Sequence, residues 1–126
     1  MENVKAFVQN TLGCGCDESV FKHIENERNA EAGGVRLRNH INVGNRLLVY
    51  VVDAEGPDFV RNHVADLLEA GRKERDDRNF NRFRLVLVAD EDSGVKHEMD
   101  RALKLSKAVD EKVHVHIMDN AEVAAL

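Results

Sequence analysis

The sequence predicts an α/β protein. The expected order is an N-terminal helix, a β-hairpin and then a βαβαβ run, which gives a mixed sheet in a two-layer or three-layer sandwich. Three observations lead there. Residues 35–52 alternate apolar and polar, pass a Gly-Asn pair, and return as a run that is apolar on both sides; that is a hairpin with one strand inside a sheet. From Pro57 onward, apolar stripes at helical spacing alternate with short apolar runs at strand spacing, which implies parallel strands joined by right-handed crossovers. Finally, the 126 residues hold no repeat, low-complexity run or Pro-rich linker, so 1–126 reads as a single domain. A chain of this size buries roughly two-thirds of its unfolded surface and needs no disulfide or metal to form a core.

The elements follow in order. Val4, Phe7, Val8 and Leu12 have the i, i+3, i+4, i+8 spacing of an amphipathic helix, with Asn3 as N-cap and Gly13 just past its end. Asp17 can cap a short helix over "ESVFKH". The segment His23 to Asn29 fits an antiparallel strand with "AEAGG" as its loop. Val35, Leu37, Ile41 and Val43 then alternate with Arg36, Arg38, His40 and Asn42, which predicts one strand with a wet face. Gly44-Asn45 makes the turn, and Leu47 to Val52 is the central return strand. Pro57 suits a first helical turn, and Val60, Val64, Leu67 and Leu68 form that helix's stripe. "FRLVLVAD" is a buried strand, Val95, Met99, Ala102, Leu103 and Ser106 mark a helix, "KVHVHIMD" is the last strand, and "AEVAAL" closes with a helical turn.

Composition removes several function classes. No stretch approaches the ~20 apolar residues of a membrane span, and "MENVKAFVQN" lacks the basic-then-apolar pattern of a secretory signal. A cytoplasmic protein with no membrane partner is expected, with both cysteines reduced. The net charge of −5 divides into −2 over residues 1–63 and −3 over 64–126, with no basic tail. Nucleic-acid binding draws on phosphate neutralisation and aromatic stacking. An acidic chain with 5% aromatic residues is poorly equipped for either.

Four groups of residues could carry chemistry. Cys14 and Cys16 flank Gly15 just before a predicted helix start, where a thiolate is stabilised. They supply two ligands, whereas a structural zinc takes four and an iron–sulfur cluster usually needs four cysteines. With no other cysteine in the chain, a conventional cluster within one subunit is excluded. Their competing reading is a helix-to-helix turn with small apolar side chains. His114 and His116 project from one face of a strand and are the best additional metal ligands; the alternative is an edge strand with a polar outer face. Asp53, Asp90 and Asp92 follow strands, at the end of an α/β sheet where ligands bind, yet residues there also cap the next helix. No dinucleotide fingerprint or P-loop accompanies them. Arg72, Lys73, Arg75, Arg78, Arg82 and Arg84 form a basic run that can bind an anion or an acidic partner, or simply be solvated. No nucleophile elbow is present, and the residues name no particular cofactor, which stays unknown.

The stretch Thr11-Leu12-Gly13-Cys14-Gly15-Cys16-Asp17-Glu18-Ser19-Val20-Phe21 resembles a small uncharacterised prokaryotic family with a T-L-G-C-G-C-P-E-E-V-F-like motif. "INVGNRLLVYVVD" and "FNRFRLVLVAD" are similar to it as well, so the resemblance covers most of the chain. Asp17 stands where the family has proline; either residue suits a helix opening there. The resemblance implies a shared fold and a shared site at Cys14 and Cys16, and no activity. Thioredoxin-like proteins also place cysteines before a helix, but a strand precedes theirs and a helix is predicted here.

The expected function is therefore a non-catalytic binding or interaction module with a protein partner. The alternative is a thiol-redox or metal-binding protein using Cys14 and Cys16. A third idea is a phosphate-handling enzyme that uses the strand-end acids. Ligand, process and oligomeric state are not legible in the sequence.

Overall fold

The computed structural model describes residues 2–11, 18–54, 56–90, 94–105, 113–124 and 126. The strands are β1 (Ile24–Arg28), β2 (Glu31–Ala32), β3 (Val35–Arg36), β4 (Asn39–Val43), β5 (Leu47–Asp53), β6 (Arg82–Val88) and β7 (Val113–Met118). β2 and β3 pair only with each other; the rest form one five-stranded sheet in the order β1-β4-β5-β6-β7. β1, β4 and β5 are antiparallel neighbours, and β5, β6 and β7 are parallel. The mixed sheet and the βαβαβ half are thus as the sequence predicts.

α1 (Glu2–Ala6) continues as a π-turn over Phe7–Thr11. A 3-10 turn follows at Glu18–Lys22. The first crossover is helical from α2 (Pro57–Phe59) through a π-turn at Val60–Val64 into α3 (Ala65–Asp77). The second is α4 (Val95–Leu105), and α5 (Asn120–Val123) follows β7. Among the described residues no helix is long and apolar enough to cross a membrane.

Strand alternation sends side chains to two faces, and each face is covered. On the crossover face, Leu48, Tyr50 and Val52 of β5 and Phe83, Leu85 and Leu87 of β6 pack against Val60, Val64, Leu67 and Leu68, and against Val95 and Met99 of α4. On the terminal face, Val49 and Val51 of β5 and Val86 and Val88 of β6 pack against Val4, Phe7 and Val8, and against Val123 and Leu126. Both chain ends therefore serve as the third layer. Leu126 O accepts hydrogen bonds from Arg28 Nε (3.1 Å) and Nη2 (2.6 Å) on β1, which ties the terminal layer to the sheet edge.

Two local motifs set the framework. At the β4–β5 turn, Gly44 and Asn45 both have positive φ, 60° and 56°, and Arg46 N donates to Val43 O at 3.1 Å, the backbone of a hairpin turn whose twist suits the strands. Val43 pairs with Leu47, so the connection holds one residue more than the Gly-Asn pair alone. α3 ends where Asn79 takes φ 59°; Phe80 N then reaches back to Arg75 O at 2.8 Å and Asn79 N to Asp76 O at 3.4 Å, a Schellman stop that caps the last carbonyls.

One expectation is corrected. Residues 35–43 are not a continuous strand. The chain leaves β3 at Arg36 and enters β4 at Asn39, held by Leu37 N to Ala30 O at 2.6 Å and Arg38 N to Val51 O at 2.7 Å. The bend puts Leu37 into the crossover-face core and Ile41 and Val43 into the other. Nor is the polar side of β4 wet: His40 is half-buried against Glu74 of α3, and Asn42 is buried, bonded to Asn45 of the turn and Glu25 of β1.

Candidate functional site

The carboxyl ends of β6 and β7 open into a cleft of about 510 Å³ beside α4. Its floor is apolar, from Met99 of α4, Val115 and Ile117 of β7 and Met118. Among the described residues, Asp90, Asp100, Asp119 and Glu122 stand around it with one cation, Lys96. The strands hold the end of the cleft together: Ala89 N donates to Met118 O at 2.9 Å and Ala54 N to Val88 O at 2.9 Å. Asp119 is fixed by a capping box on α5, accepting from Glu122 N at 2.9 Å while Glu122 Oε1 accepts from Asp119 N at 3.3 Å. The polar residues each follow a strand or lie on the helix after it, which is where an α/β fold gathers a site from distant parts of the chain.

Two of the three predicted strand-end acids lie among the described residues. Asp90 lines the cleft. Asp53 is exposed and pairs with Arg38 Nη1 at 3.3 Å, and Arg38 also donates to Asn120 Oδ1 at 2.6 Å. Asp92 lies outside the described residues, as do Cys14 and Cys16. Among the described residues, no group of three or more His, Cys, Asp or Glu could hold a metal ion.

The basic run divides. On α3 and its stop, Arg72 pairs with Glu69 at 3.1 Å, Lys73 with Asp77 at 2.6 Å, Arg75 with Asp76 at 3.2 Å and Arg78 with Glu74 at 2.8 Å. Arg82 and Arg84 instead lie on β6. Arg84 points to the terminal face, is 7% exposed, and meets His116 of β7 with Nη1 3.1 Å from Nε2. A guanidinium only donates, so the His116 nitrogen accepts and the ring is neutral with its proton on Nδ1. His114 is the register partner of Arg84, so the two histidines do share a face, and β7 is the sheet edge. Burial first, then Arg84 and His114, hold His116 below the usual histidine range. A cation beside the ring also opposes a second cation, which speaks against metal ligation at this pair.

One cluster escapes motif reading altogether. Glu74 of α3 accepts from Tyr50 Oη at 2.6 Å, His40 Nε2 at 2.8 Å and Arg78 Nη1 at 2.8 Å. Burial first, then the hydrogen bond and charge of Glu74, hold the Tyr50 phenol above its ordinary range. Alternation placed His40 and Tyr50 on neighbouring strands, but nothing in the local sequence paired them with a helix residue. With all three donors satisfied by one carboxylate, the cluster fastens α3 to the sheet.

Fold and cleft together define a class: a small three-layer α/β protein with a recess beyond its parallel strands. No family model, curated protein or solved structure matches the chain, so function rests on the site itself.

Proposed function

We propose that the chain is a non-catalytic binding module, and that its cleft receives a basic side chain from a protein partner. The observation that carries this reading is the lining of the cleft: among the described residues, four carboxylates to one ammonium around an apolar floor. A lysine or arginine side chain has the matching form, an apolar stem ending in a cation. The volume, about 510 Å³, falls in the range of small ligand sites, roughly 300–1,000 Å³. Support for a binding rather than a catalytic role comes from what lines it. Among the described lining residues there is no histidine, hydroxyl or thiol, so they form no Ser–His or Cys–His pair. We place the module in the cytoplasm, where its cysteines stay reduced.

The test is calorimetric titration with n-butylammonium and n-butylguanidinium, with n-butyrate as control. Both cations are expected to bind saturably and butyrate not at all. Asp90→Asn and Asp100→Asn should each weaken the cations by up to about fivefold, the equivalent of ~1 kcal/mol for a solvent-exposed ion pair. Equal response to butyrate, or cation binding untouched by both substitutions, would overturn the reading.

A further inference from the structure

On the terminal face of the sheet, away from the cleft, we propose that Arg84, His114 and His116 form a binding site for a tetrahedral oxyanion, an inorganic phosphate or the phosphate group of a larger ligand. The argument begins with the basic run. Its four members on α3 and its stop each have a carboxylate within 3.2 Å. Arg84 has none among the described residues, although it is 7% exposed. Its Nε is buried and finds no acceptor, and its Nη1 is spent on a neutral imidazole. Leaving a buried charge without a counter-charge costs several kcal/mol, and an unmet donor adds to that. Solvated cations at a surface need no such explanation; this one is enclosed.

Neighbouring groups share the deficit. Arg82 lies two residues before Arg84, on the same side of β6, and is exposed. His114 sits opposite Arg84 in the parallel register and is also exposed. Burial first, then Arg82, draws the Arg84 guanidinium below its ordinary value. Among the described residues, no carboxylate pairs with Arg84 on this face.

The geometry also favours one shape of anion. A carboxylate presents two coplanar oxygens and is satisfied by a guanidinium fork alone. Here the fork rises from β6 while the imidazoles rise from β7, one strand spacing of about 4.8 Å away. Donors from two strands reach different oxygens of a tetrahedral group. His114 of β7, exposed opposite Arg84 in the register, brings the contribution of the second strand. Access is from the side of His114 and Arg82, the exposed members of the set.

The experiment is calorimetric titration of the whole chain with inorganic phosphate, sulfate, phenyl phosphate and acetate, beside thermal unfolding at each concentration. Phosphate and sulfate are expected to bind saturably, acetate at least tenfold more weakly, and the oxyanions to raise the unfolding temperature with concentration as ligands of the folded state do. Comparable affinity for phenyl phosphate and inorganic phosphate identifies a free oxyanion as sufficient; tighter phenyl phosphate binding identifies an ester as the ligand. Arg84→Gln should lose binding at least tenfold. Since that substitution touches the core, the exposed His114→Asn provides a second variant and should weaken binding severalfold at unchanged unfolding temperature. Asp90→Asn should leave phosphate binding intact, which separates this site from the cleft. No saturable oxyanion binding, acetate binding as tight as phosphate, or full affinity in both Arg84→Gln and His114→Asn would overturn the proposal.

Discussion

Glu74 accepts from Tyr50 and His40, which stand 24 and 34 positions away along the chain, and from Arg78, 4 positions away. Burial alone would raise its carboxyl; hydrogen bonds from Tyr50 and His40, with the His40 charge and Arg78, outweigh burial and hold it below its ordinary value of 4.5. A group whose pKa is lower folded than unfolded gives stability that is full above the unfolded value and lost as pH falls through the folded one. Wild-type protein should therefore lose stability more steeply than Glu74→Gln on acidification from about pH 6 to about pH 3. Urea unfolding across that range measures it, and parallel acid limbs would contradict the assignment. At this scale the sequence was least informative. Alternation placed His40, Tyr50, His114 and Arg84 on strands, but contacts such as Arg84 with His116 depend on register between strands, which local pattern does not contain.

Elements were read more fully, because period and punctuation are local. Buried Val60, Val64, Leu67 and Leu68 are the stripe that helical spacing predicted, and the Gly-Asn pair does turn β4 into β5. The split at Leu37 and Arg38 was not legible: apolar residues on both sides of it keep the same alternation, and only the separate pairing of β3 with β2 and of β4 with β5 reveals the change of face. Gly71 of α3 raises a point about helix packing. It is buried, and a Cβ there would overlap the Phe83 ring of β6. Alanine is the better helix former by about 1 kcal/mol, yet overpacking a core costs typically 1–3 kcal/mol. Gly71→Ala should be net destabilising in chemical unfolding; a stabilised variant would mean that α3 can lift away from the sheet freely.

Across the whole molecule, the sheet order β1-β4-β5-β6-β7 follows the chain once the small β2–β3 hairpin is set aside. Both crossovers, α2–α3 and α4, cover one face of the sheet, which leaves the opposite face to the chain ends. That logic was legible because strand–helix alternation implies it. The candidate cleft is only partly legible: Asp90 stands out as a strand-end acid, but Lys96, Met99 and Asp100 on α4, which line the cleft with it, carry no motif. Cys14 and Cys16, which draw the eye in the sequence, lie outside the described residues, and the proposed function is carried by the cleft. Its most direct test is a map of backbone amide shifts on adding n-butylammonium. A basic group in the cleft predicts shifts concentrated at Ala89, Asp90, Met99, Asp100 and Asp119, with the terminal face around Arg84 unchanged. Shifts elsewhere with the cleft silent, or the same shifts with n-butyrate, would contradict it.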